Sequence, residues 1–105
     1  MIDRALKERW LNRLEDPATK KGTGHLEYNG GLCCLGVLCE VLGLEKKTFE
    51  KVSRYSFKGI RFSSNLSLDL LFDLKITLEQ QEVLIQLNDD NKTFDKVIDY
   101  IEREL

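Results

Sequence analysis

At 105 residues, with 42% hydrophobic and 32% charged side chains, the chain has the length and composition of one globular domain with a real core. Sixteen Lys and Arg against 18 Asp and Glu leave a net charge of −2, which excludes the domain-wide basic footprint of a duplex-binding protein. The longest apolar run, 30–43, is shorter than the ~20 residues a membrane-spanning helix needs, and three cysteines, two of them adjacent, point to reduced thiols in a cytoplasmic setting.

Residues 2 to 15 read as an amphipathic helix, with Ile2, Leu6, Trp10 and Leu14 in an i, i+4 row. Asp16-Pro17 ends it, because the residue before proline is pushed out of the helical region. Lys20 to Gly24 reads as an exposed, mobile loop. His25 to Tyr28 is a short extended piece, and Asn29-Gly30-Gly31 is a turn signal. A helix starting near Leu32 follows and runs to Gly43. Its apolar residues cover well over half of its circumference, so its neighbours are expected to pack around it. Gly36 in its interior costs roughly 1 kcal/mol relative to Ala, which predicts that another backbone passes close by.

The β part is expected from about Thr48. Tyr55-Ser56-Phe57, Lys58-Gly59 and Ile60-Arg61-Phe62 fit a two-residue hairpin with Tyr55 opposite Phe62 and Phe57 opposite Ile60. Those four then share one face, and Arg54, Ser56, Arg61 and Ser63 share the other, with Lys58 at the tip. Leu66 to Lys75 contains a short apolar helix. Thr77 to Gln80 is a capping box that opens a helix to about Asn88, on which Gln80 and Gln81 fall within the apolar side. Thr93 is expected to cap the last helix, whose stripe is Phe94, Val97, Ile98, Ile101 and Leu105. The fold class is α+β: about five helices packed around a central buried helix, with one small antiparallel hairpin or three-stranded sheet.

Cys33-Cys34-Leu35-Gly36-Val37-Leu38-Cys39-Glu40, a tryptophan-bearing first helix, Leu87-Asn88-Asp89, Thr93-Phe94 and Tyr100-Ile101-Glu102 together resemble a group of short proteins from tailed phages and prophages. Members of that group carry an aspartate where this chain has Glu40, and a glycine in the turn that here reads Asp90-Asn91. The resemblance implies a phage accessory protein made in the host cytoplasm, of a kind that often counters host defences. It brings no settled activity, so no catalytic role transfers to this chain.

The chemistry-bearing residues give four readings. Cys34 and Cys39, five apart, lie roughly 140° apart around a helix and cannot both face one zinc ion. Cys33 with His25, the single histidine, could form a thiol–imidazole pair oriented by Asn29 or Asp89. Asp89, Asp90 and Asn91 lack the glycine and glutamate of a calcium loop, which leaves them as a polar turn.

The most usable feature is the polar hairpin face. Arg54, Ser56, Lys58, Arg61, Ser63 and Asn65, with Ser53 and Ser64 nearby, offer forked and hydroxyl donors suited to phosphate oxygens, and Tyr55 or Phe57 could stack on a base. The expected function is therefore non-catalytic binding of a host component, with a nucleotide signal molecule as the ligand and no cofactor or metal. The alternative is a protein inhibitor that mimics nucleic acid through Glu79, Glu82, Asp95, Asp99 and Glu102. No membrane or nucleic-acid partner is expected, and self-association is left open.

Overall fold

The computed structural model describes residues 1–105. Five helices and one antiparallel sheet of five strands make an α+β fold. Helix α1 (Arg4–Glu15) starts at Asp3, whose carboxylate accepts from the Leu6 N–H, and it buries Leu6, Trp10 and Leu14. Strands β1 (Glu27–Tyr28) and β2 (Gly31–Leu32) form a tight hairpin around Asn29 and Gly30. The sequence reading started a helix near Leu32; the structure puts Leu32 in β2, and α2 (Cys34–Leu42) starts two residues later. Cys33 caps it, its sulfur accepting from the Gly36 N–H at 3.4 Å. Every residue from Cys34 to Cys39 is buried.

The 20–24 segment, expected to be a mobile loop, is tied down. Gly22 N–H donates to Leu32 O and Leu32 N–H donates to Lys20 O, both at 2.8 Å, and the Lys21 ammonium donates to Asn88 O at 2.6 Å. Two elements close on α2 through hydrogen bonds as well as apolar packing. Trp10 Nε1 donates to Cys34 O at 2.9 Å, and Asn88 Oδ1 accepts from Cys34 N–H at 3.0 Å.

The sheet is larger than a hairpin or three strands because β1 and β2 join it, and the β region after α2 begins at Glu45 rather than near Thr48. Strand β3 (Glu45–Phe49) pairs with β4 (Val52–Phe57), which also pairs with β5 (Ile60–Phe62) and, at Val52, with Tyr28 of β1. Strand β3 is exposed throughout and lacks an alternating pattern, so periodicity could not reveal it. Its Glu45, Lys46 and Lys47 are the charged residues that guard an open sheet edge. The Tyr55↔Phe62, Ser56↔Arg61 and Phe57↔Ile60 register agrees with the reading of the hairpin. Ile60 departs from it in burial, since it projects past the core and is exposed.

Helices α3 (Leu68–Leu74), α4 (Leu78–Asp90) and α5 (Asp95–Glu104) complete the chain. The capping box at Thr77 and Gln80 is present in both directions. It corrects the placement of Gln80, which lies at the helix end rather than in the apolar side. Gln81 alone is buried, and its Oε1 accepts from Leu66 N–H at 2.7 Å. The cap position of α5 falls to the buried Phe94, which makes no side-chain bond, while Thr93 Oγ1 still accepts from the first-turn Asp95 N–H at 3.4 Å.

Candidate functional site

Alternation along paired strands separates two chemistries on the two faces of the sheet. The inner face carries Ser53, Tyr55 and Lys46. Tyr55 is 0% exposed and its hydroxyl donates to Glu40 at 2.7 Å. The Lys46 ammonium bridges Glu27 at 3.3 Å and Glu40 at 3.1 Å, and the Ser53 hydroxyl donates to Glu27. Burial disfavours the Glu40 anion, yet the Tyr55 and Lys46 donors outweigh it and hold the carboxyl below its ordinary range. These groups tie the sheet to the end of α2.

The outer face forms one wall of a concavity of about 710 Å³ lined by His25, Lys47, Phe49, Glu50, Val52, Arg54, Ser56, Arg61 and Ser63. Four of the residues chosen from the sequence, Arg54, Ser56, Arg61 and Ser63, meet there. Two do not. Lys58 sits at the hairpin tip, where it pairs with Asp73 at 3.5 Å and lies over the Phe57 ring. Asn65 lines a separate cavity of about 50 Å³ with Ser64, His25, Cys33, Asn88 and Asp89. Ser53 faces inward.

Sequence reasoning missed Lys47, Phe49 and Glu50, with Val52 opposite Phe49, because β3 gave no strand signal, and it read His25 as a partner of Cys33 rather than as part of this face. Once β3 pairs with β4, Lys47 lies directly opposite Arg54 and Phe49 opposite Val52. His25 arrives because Leu26 N–H donates to Ser63 O at 2.7 Å, which runs the start of β1 alongside the end of β5. Its ring stacks on Tyr28 with centroids 5.6 Å apart, and its Nδ1 is buried without a protein partner. The aromatic of this face is Phe49, 77% exposed, in place of Tyr55 and Phe57, which belong to the inner face.

Lys47, Arg54 and Arg61 make no ion pair, although the chain forms four others. Like charges directly opposite on neighbouring strands are destabilising. The Lys47–Arg54 pair therefore leaves the face short of an anion.

The thiol–imidazole idea fares differently. Cys33 and His25 do line the same small cavity, but its 50 Å³ holds at most a water or two. Burial pushes the Cys33 thiol up to about 11 and raises Cys34 and Cys39 as well, so all three stay protonated at neutral pH. No three His, Cys, Asp or Glu side chains are grouped to hold a metal ion, and no helix is long and apolar enough to cross a membrane. Glu79, Glu82, Asp95, Asp99 and Glu102 are all exposed on α4 and α5. No family model, curated protein or solved structure matches this chain.

Proposed function

We propose that the protein is a non-catalytic binder of a phosphate-bearing nucleotide, held on the outer face of the sheet. In this reading α2 is the central support against which the other elements pack, and the working surface lies away from its sulfurs. The single observation that carries the proposal is the unpaired Lys47–Arg54–Arg61 cluster in one concavity beside an exposed phenylalanine. Guanidinium forks and a lysine ammonium suit phosphate oxygens, Ser56 and Ser63 add hydroxyl donors, and Phe49 offers a stacking surface for a base. A cavity of this size lies in the range for small-molecule ligands.

With the phage resemblance, the reading becomes an accessory protein acting in the host cytoplasm by taking up a nucleotide signal. The acidic-mimic alternative has no comparable concentration of unpaired charge in a cavity, and it ranks second.

Calorimetry with nucleoside diphosphates and inorganic pyrophosphate tests the site. The wild type is expected to bind, and Arg54→Glu with Arg61→Glu to abolish binding. Lys47→Thr gives a sharper signature. It should weaken binding while raising thermal stability by a few degrees, because it relieves a like-charge pair worth roughly 0.2–1 kcal/mol. Absence of heat with every phosphate compound would overturn the reading.

A further inference from the structure

We propose that the site selects guanine among the bases, with Glu50 reading its Watson–Crick edge. This rests on the nucleotide reading above and goes further by naming the ligand class. Glu50 is the one carboxylate lining an otherwise cationic concavity. It forms no ion pair or side-chain hydrogen bond within the protein, even with Lys47 and Lys51 close in sequence. A free carboxylate beside a phosphate site opposes anion binding unless it has a separate partner on the ligand.

Its position supplies one. Glu50 follows Phe49 directly and lines the same concavity, so a base resting on the Phe49 ring lies within reach of the carboxylate. The backbone that carries Glu50 is anchored: it is the first central residue of the β3–β4 turn at φ 48°, and the Asn29 N–H donates to Lys51 O at 2.7 Å across the neighbouring turn. The cations lie one step away along the strands. Lys47 and Arg54 are two residues from the Phe49–Val52 pair, about 7 Å, and the Ser56–Arg61 pair is two residues further on. Base, sugar and two phosphates can be laid along that line in order.

The edge chemistry then discriminates. A carboxylate only accepts hydrogen bonds. Guanine presents N1–H and the N2 amino group side by side, two parallel donors that match its two oxygens. Adenine and cytosine pair a donor with a ring-nitrogen acceptor, whose lone pair would face the carboxylate. Uracil offers one donor between two carbonyls. A glutamine in the same place offers one donor and one acceptor, the complement of adenine.

The test is titration of GDP, ADP, CDP, UDP and inorganic pyrophosphate into the wild type and Glu50→Gln. The wild type is expected to favour GDP over ADP by about tenfold or more, the usual discrimination of one bidentate pair. Glu50→Gln should shift preference from GDP toward ADP and leave pyrophosphate binding unweakened. Equal binding of GDP and ADP by the wild type, with pyrophosphate binding intact, would overturn guanine selection and leave the phosphate site standing. Binding of none of the five would remove the site itself.

Discussion

The carbonyl oxygen of Leu26 lies where a side chain on Gly36 would begin: a Cβ built on Gly36 would sit 1.9 Å from it. The same oxygen accepts from the Cys33 N–H at 3.0 Å, so the strand-side backbone cannot draw away without breaking the cap region of α2. Gly36→Ala gains roughly 1 kcal/mol of helix propensity but forces two backbones apart, an overpacking cost of about 1–3 kcal/mol or more. With backbone as the obstacle the upper end applies. A fall in melting temperature of roughly 10 °C is expected by circular dichroism; an unchanged or higher value would contradict the close packing.

Asn88 joins three parts of the chain. Its Oδ1 accepts from Cys34 N–H and its Nδ2 donates to Gly22 O, both at 3.0 Å, and its side chain is fully buried. Asn88→Ala leaves the buried Cys34 N–H and the half-buried Gly22 carbonyl without their partner, with a penalty of about 1–3 kcal/mol for a fully buried group. Urea unfolding should show a loss of about 2–4 kcal/mol. Asn88→Asp should also destabilise, since it sets a carboxylate against the Gly22 carbonyl.

The Glu40–Tyr55–Lys46 cluster makes stability acid-sensitive. Glu40 titrates below its ordinary value in the folded chain, despite burial, because Tyr55 and Lys46 favour its anion. Its contribution is fully present above the unfolded glutamate value near ~4.3 and is lost as pH falls through the folded value. Tyr55→Phe removes one of the two donors. The urea midpoint of this variant should lie below wild type at neutral pH, with the gap narrowing as pH drops below about 4. A gap independent of pH would show that the hydroxyl acts through packing alone.

Lys51 occupies the left-handed region at φ 76°, next to Glu50 at φ 48°, in a two-residue turn that ordinarily calls for Asn or Gly. Lys51→Gly removes the steric cost of that conformation and is expected to stabilise the protein by about 0.5–1 kcal/mol. Thermal melts check it. The substitution leaves the residues lining the concavity unchanged.

Local pattern carried much of the architecture. The spacing of Leu6, Trp10 and Leu14, the Thr77–Gln80 capping box and the positive-φ turn at Lys58 and Gly59 each depend on neighbours within a few residues. Gly36 was legible too, because a glycine inside so apolar a helix implies a close neighbour; Leu26 supplied it. The Glu50–Lys51 turn was not legible, since neither residue type favours positive φ. With it went β3 and the Lys47, Phe49 and Glu50 part of the concavity's lining.

By itself the sequence determined five helices, the hairpin register, the division of β4 and β5 into a core face and a donor face, and Arg54, Ser56, Arg61 and Ser63 as one cluster. Tertiary structure alone decided that Lys47 stands against Arg54, that His25 joins the rim and that Lys58 and Asn65 turn elsewhere. The physical reason is that alternation and capping are set within a strand or a turn. Cross-strand neighbours arise only when distant segments pair, and an exposed, charged edge strand announces no partner until it has one.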